Sequence, residues 1–231
     1  MESVRRPPVF GRRRGRALRP GRKVLIGEVL PRHILTMSPT GQLEPRSALG
    51  SPGRPVWLEI GFGVGEHLAV QAERHPAISF IGCEVFEPGI VRLLVQIERR
   101  HLDNIRVFAD DARVLIAALP RSSIDRVFIL FPDPWPKRRH EKRRMLSHEI
   151  LDALAVIMTD GAELRLATDD HNYLGWMLER VTDHPAFEWL ARGPCDWRER
   201  PEDWPPTRYE EKARAAGRAP SFLRVRRRYR R

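Results

Sequence analysis

Between residues 56 and 168 the chain alternates short apolar runs with longer stretches whose apolar positions recur every three or four residues. The runs at 56–60, 80–84, 106–109, 126–131 and 163–168 have the length and composition of strands. The stretches at 66–74, 89–101, 112–119, 142–158 and 173–182 have the helical period. In the fourth of these, Leu146, Ile150, Leu151, Leu154, Ile157 and Met158 make one apolar stripe, the face of a helix turned to a core. Strands and helices in strict alternation predict βαβ units, hence a mostly parallel sheet with helices on both faces. Near the C-terminus, 187–191 and 222–228 predict a closing pair of strands. In the second of them Leu223 and Val225 alternate with Arg224 and Arg226, giving one buried and one basic face. No internal repeat interrupts the pattern.

Composition adds a location for the charge. With 42% hydrophobic and 31% charged residues over 231 positions, the chain has ample material for a core. The net charge is +11, yet the first 23 residues carry nine Arg/Lys against one acid and the last eight carry six Arg with none. The excess therefore sits in two tails on a slightly acidic body. Residues 1–23, rich in Arg, Pro and Gly, predict a flexible basic arm; 24–54 are a lead-in, and one domain occupies 24–231. A basic arm points to nucleic acid, or to an anionic membrane. No apolar run is long enough to span a bilayer, and Pro7, Pro8 and Pro20 break any amphipathic leader helix, so a soluble cytoplasmic protein is expected. Cys83 and Cys195 are the only cysteines and the eight His show no ligand spacing, so no metal is expected.

The run VWLEIGFGVG over 56–65 places Gly61, Gly63 and Gly65 after a strand and before a helix. Such a loop lets backbone approach a ligand closely. Many glycine clusters are only tight turns; the strand–loop–helix context favours a nucleotide-like ligand. The dinucleotide fingerprint spaces its first and third glycines by five, whereas here the spacing is four. Glu59, two residues before Gly61, would also repel a pyrophosphate. S-adenosylmethionine has no phosphate and carries a cationic methionine end, so the electrostatics favour the methyl donor. Glu84 ends the second strand, where an acid can accept from both ribose hydroxyls. Asp110 and Asp111 end the third, within reach of an adenine amine. One acid at a strand end is commonly just an exposed charge; three successive strands ending in acid at one edge make a site.

The most specific segment is FPDPWPKRRHEKRR over 131–144, which follows the fourth strand onto the same edge. Pro132 and Pro134 fix the backbone around Asp133. Trp135 offers a face on which a base can stack. Lys137, Arg138, Arg139, Lys142, Arg143 and Arg144 follow, a charge run that beside a rigid acid and an aromatic reads as a nucleic-acid contact.

With these residues in view, the chain resembles the bacterial tRNA (guanine-N7)-methyltransferase family. The likeness runs from about Phe10 to Arg228 and rests on the glycine loop with Glu59, GCE over 82–84, Asp111-Ala112, the FPDPW segment, Ala167-Thr168-Asp169 and TRYE over 207–210. The FPDPW and TRYE elements are the specific ones. The resemblance implies a Rossmann-like class I methyltransferase fold with a C-terminal antiparallel strand pair, S-adenosylmethionine as cofactor and tRNA as partner, acting as a monomer or homodimer. It implies that Glu59, Gly61, Gly63, Glu84, Asp111 and Asp133 contact the donor, with Asp133 the central acid. It further implies a guanine site of Lys137, Asp169, Thr207, Arg208, Tyr209 and Glu210. RNA contact would come from a helix beginning at Arg139, through Arg139, His140, Lys142, Arg143 and Arg144. The target implied is the guanine at position 46 of the variable loop. Arg208, Tyr209 and Lys212 stand where the family commonly has Lys, Phe and Arg.

Three rival classes fit these residues less well. An amino-group methyltransferase uses a similar acid-proline-proline-aromatic loop, but its prolines are adjacent, while here Asp133 separates them. A non-catalytic RNA binder on the same scaffold would have no use for the acids at Glu59, Glu84 and Asp133. An NAD-dependent dehydrogenase is disfavoured by the glycine spacing.

Overall fold

Strands β1 (Val56–Ile60) and β2 (Ser79–Cys83) are buried at every position, as apolar runs covered on both faces must be. β3 (Ile105–Phe108), β4 (Ile124–Leu130) and β5 (Met158–Thr168) continue the parallel set, and β6 (Phe187–Trp189) and β7 (Ser221–Arg227) complete the sheet. The order is β3-β2-β1-β4-β5-β7-β6, with β7 antiparallel to both β5 and β6. The computed structural model describes residues 13–15, 20–38, 41–43, 45 and 53–230.

Strand alternation sends side chains to two cores. Trp57 and Phe128 face helices α1 (Glu66–Arg74) and α2 (Glu87–Arg100). Val56, Leu58, Ile60, Val127 and Ile129 face α3 (Ala112–Ala118), α4 (His148–Ile157) and α5 (His171–Asp183). Truncating a fully buried Leu such as Leu58 to Ala costs about 2–5 kcal/mol. Helix starts are set by side chains: Asp111, Ser147 and Asp170 each accept a hydrogen bond from an amide in the first turn of α3, α4 and α5.

Three elements differ from the sequence expectation. The helix predicted over 142–158 divides: Arg138–Arg143 is a 3-10 helix, Arg144 is extended, and α4 starts only where Ser147 caps it. Leu146 keeps its buried place without being helical. Helix α6 (Arg208–Ala215), capped by Thr207, has a strongly polar surface and gave no apolar period to read. At the N-terminal side, a helical segment runs from Pro20 to His33 across the boundary drawn at residue 23, and buries Val29 and His33. The arm expected over 1–23 lies mostly outside the described residues. Of it, Arg13 accepts a hydrogen bond from the Glu87 amide through its carbonyl and pairs with Asp110.

The strand order reverses between β1 and β4. Loops leaving β1, β2, β3 and β4 therefore open on one edge around a crevice, the usual ligand position of such a sheet.

Candidate active site

A cavity of about 850 Å³ fills this crevice, lined by Gly61, Gly63, Glu84, Asp111, Asp133 and Tyr209 among others. Five loops or helix starts, far apart in sequence, meet there.

The glycine loop forms its floor. Gly63 has φ of 60°, and a side chain there would meet the Tyr209 ring at 3.2 Å, so both backbone and space require glycine. Glu84 grips the loop. Its Oε2 accepts from the Gly63 amide at 2.8 Å, and its Oε1 accepts from the Val85 and Phe86 amides at 2.8 and 2.9 Å. Burial pushes the Glu84 carboxyl pKa up against the pull of these three amides, and the nearby Asp133 charge adds to the rise. Asp111 behaves oppositely. Burial works to raise it, but the paired Arg113 guanidinium and the Arg113 amide hold it below the usual carboxylate range.

Glu59 takes a different place. Strand alternation turns it away from the large cavity to the face of α1, where its Oε2 lies 2.7 Å from His67 Nδ1. It lines instead a small cleft of about 20 Å³ that it shares with Gly61, Thr207 and Tyr209. His67 Nε2 is 3.3 Å from Gln71, whose amide group donates to the Asp203 carbonyl. Glu59 is thus joined to the segment that leads into α6. His67 and Arg113 partner two expected donor acids, and nothing in the sequence marks them beyond their nearness to those acids.

Opposite the floor stands the FPDPW loop. Asp133 is exposed and lines the cavity together with Trp135, against which His140 packs edge-on at 5.8 Å and the Arg143 guanidinium lies 5.0 Å from the ring centre. Tyr209 closes the third side. Its ring stacks on Phe131 at 6.4 Å, and burial raises its hydroxyl pKa, with the charges of Glu84 and Asp133 adding to the rise against the opposing pull of Arg208.

The expected guanine and RNA residues divide into two sets. Lys142 and Arg143 line the cavity with Tyr209, whereas Lys137, which precedes the 3-10 helix, and Arg139 and His140 on it lie outside the cavity lining. Asp169 pairs with Arg218 at 2.7 Å, and Thr207 and Glu210 are buried, Glu210 between Arg200 and Arg214. The Arg208 amide donates to Glu66 in the first turn of α1, which ties α6 to the glycine loop. Arg144, expected at the RNA surface, lines the cavity with a side chain only 4% exposed, turned inward onto Tyr173 and Trp176. Among the described residues, no group of His, Cys, Asp and Glu is arranged to hold a metal ion, and no helix is long and apolar enough to cross a membrane.

The backbone is similar to that of the 16S rRNA methyltransferase KamB, with a TM-score of 0.60 at 14% identity over 85% of this chain and 99% of that one. Sheet order, glycine loop and acid-lined crevice define a class I methyltransferase that uses S-adenosylmethionine. A family described as putative methyltransferase matches residues 53–222. The tRNA (guanine-N(7)-)-methyltransferase of Rhodospirillum rubrum is 50% identical over 95% of this chain and 87% of its own. That of Paramagnetospirillum magneticum is 49% identical over 99% and 96%. The chain belongs to the tRNA (guanine-N7)-methyltransferase family.

Proposed function

We propose that this chain transfers the methyl group of S-adenosylmethionine to N7 of a guanine in tRNA, at position 46 of the variable loop, in the cytoplasm. The observation that carries the reading is the meeting of the acid-gripped glycine loop, Asp133 and Tyr209 on one cavity large enough for both a nucleoside-sized cofactor and a base. Gly61, Gly63, Glu84 and Asp111 line the donor side, and Glu59 adds its charge from behind the loop. That donor set, acidic and without a phosphate cradle, fits a sulfonium cofactor.

Bound there, S-adenosylmethionine supplies an electrophilic methyl group. Guanine N7 carries its lone pair at neutral pH, so no residue has to remove a proton. What the protein supplies is alignment, and negative charge where the ring becomes cationic. Asp133 provides that charge. Asp169, on exchanging Arg218 for the base, accepts from guanine N1–H and the exocyclic amine. Lys137, Thr207, Arg208, Tyr209 and Glu210 shape the base site, and Arg139, His140, Lys142 and Arg143 hold phosphates. Residues 1–23 act as a basic arm on the catalytic domain over 24–231. Mass mapping of tRNA after incubation with the enzyme and donor tests the reading: 7-methylguanosine at position 46 is expected, and methylation on an exocyclic amine would overturn it.

A further inference from the structure

Phe131 and Trp135 bracket Pro132-Asp133-Pro134 and both adopt left-handed backbone, with φ of 51° and 45°. Bulky residues hold that region at an energetic cost, and only where their surroundings over-determine the turn. The prolines contribute no amide to the loop. Its front is tied by the Phe131 amide, which donates to the Ala167 carbonyl at 2.8 Å. Its back is tied by a side chain: Arg144 Nε donates to the Pro134 carbonyl at 2.8 Å. Among the described residues no hydrogen bond reaches the Asp133 carboxylate, so its placement in the cavity depends on where the loop backbone sets its Cα–Cβ bond.

Arg144 is itself fixed. Its guanidinium lies 4.6 Å from the Trp176 ring centre and 5.3 Å from that of Tyr173. Both rings are anchored through one residue, since Trp176 Nε1 donates to the Leu146 carbonyl and the Tyr173 hydroxyl accepts from the Leu146 amide. Its nearest carboxylate oxygen belongs to Glu141, 3.9 Å away. A buried ion pair is weak evidence of a stabilising role, since a well-packed neutral side chain of similar volume often serves as well.

We propose that Arg144 is a positioning residue for methyl transfer: by holding the Pro134 carbonyl it fixes the direction of Asp133, and it makes no contact with RNA. This rests on Asp133 being the active-site acid. The test compares two neutral replacements, Arg144→Gln and Arg144→Met. Gln places an amide nitrogen at the position of Arg Nε and can donate to Pro134; Met places a methyl group there. Both remove the same charge and the same stacking, so a purely packing role treats them alike.

In single-turnover methylation of tRNA, Arg144→Met should be slower by about thirty- to a hundredfold, the effect of misplacing a reacting group by roughly 1 Å. Arg144→Gln should recover at least about tenfold of that loss. Donor Kd and the salt slope of tRNA binding should stay those of the parent enzyme in both. Equal rates for the two variants overturn the proposal, as does a salt slope flattened by about 0.7–0.9, which marks a lost phosphate contact. Asp133→Ala in the same assay separates the two claims. A fast Asp133→Ala enzyme removes the reading of Asp133; a slow one beside a fast Arg144→Met enzyme removes only the role of Arg144.

Discussion

The donor and acceptor sides of the cavity are built by different means. On the side of the glycine loop, Glu84 is satisfied by the backbone amides of Val85, Phe86 and Gly63, and Asp111 by the first turn of its own helix, while Asp110 pairs with the distant Arg13. On the opposite side, Asp169 is held by Arg218 from a distant part of the chain, while Asp133 has no hydrogen-bond partner among the described residues. The first arrangement is in place whenever the sheet is. The second includes an ion pair between partly exposed partners, in which, under the proposed function, the donors of a base take the place of the arginine.

The largest test of this contrast is Asp133→Ala. It should lower single-turnover methylation on the order of 10²–10³-fold while leaving the protein folded. A rate near that of the parent would place the chemistry elsewhere in the cavity.

Glu84→Ala attacks the other side. It removes acceptors for three amides and for the ribose hydroxyls, so donor Kd should rise roughly ten- to a hundredfold, the worth of charge-assisted bonds of about 1.5–3 kcal/mol. Calorimetry that finds the Kd unmoved would show that the acid grips only its own loop.

The two basic regions should separate next. Deleting residues 1–23 should weaken tRNA binding and flatten its salt dependence by about 0.7–0.9 per lost phosphate contact, with turnover at saturating tRNA largely kept. Replacing Lys137, Arg138 and Arg139 together by Ala should instead depress turnover itself. The reverse outcome would assign alignment to the arm.

The smallest effect concerns acid. Glu163 lies between Arg165 and Arg224 on β5 and β7; burial works to raise its carboxyl, but the two arginines hold it at about 2. A depressed pKa stabilises the fold above the unfolded value and loses that contribution as pH falls towards 2. Glu84, raised in the fold, contributes with the opposite sign, because it binds its proton earlier when folded. Glu163→Gln should therefore flatten the loss of stability between about pH 5 and pH 2, by on the order of 1–2 kcal/mol for a partly screened pair. Denaturant unfolding across that range measures it, and an unchanged slope would mean the pair is already solvated.

The same contrast explains what could be read from the sequence. β1 and α1 fall where the apolar pattern put them, because five consecutive buried positions and a two-face helix leave strong periodic signals. The donor loop, Glu84 and Asp111 follow from their place at strand ends. Arg144 did not, because a charge run looks the same whether its last member faces water or turns under a loop. α6 escaped as well: only Glu210 and Ala213 of its residues are buried, too few to make a stripe. Glu59 was read from the chemistry of its position, while the strand's alternation, equally present in the sequence, already aimed it at the far face.

The place of β7 has a consequence for how the enzyme is made. β5 ends at Thr168, and its antiparallel neighbour begins only at Ser221. During translation β5 thus carries an open edge while roughly fifty further residues are added, a template for unwanted pairing. α6 and its Tyr209 are added inside that same interval, so the acceptor wall is among the last parts to close. The five parallel strands and their glycine loop precede it. A nascent chain of this protein therefore carries the glycine loop and the acids beside it before the wall with Tyr209 is in place.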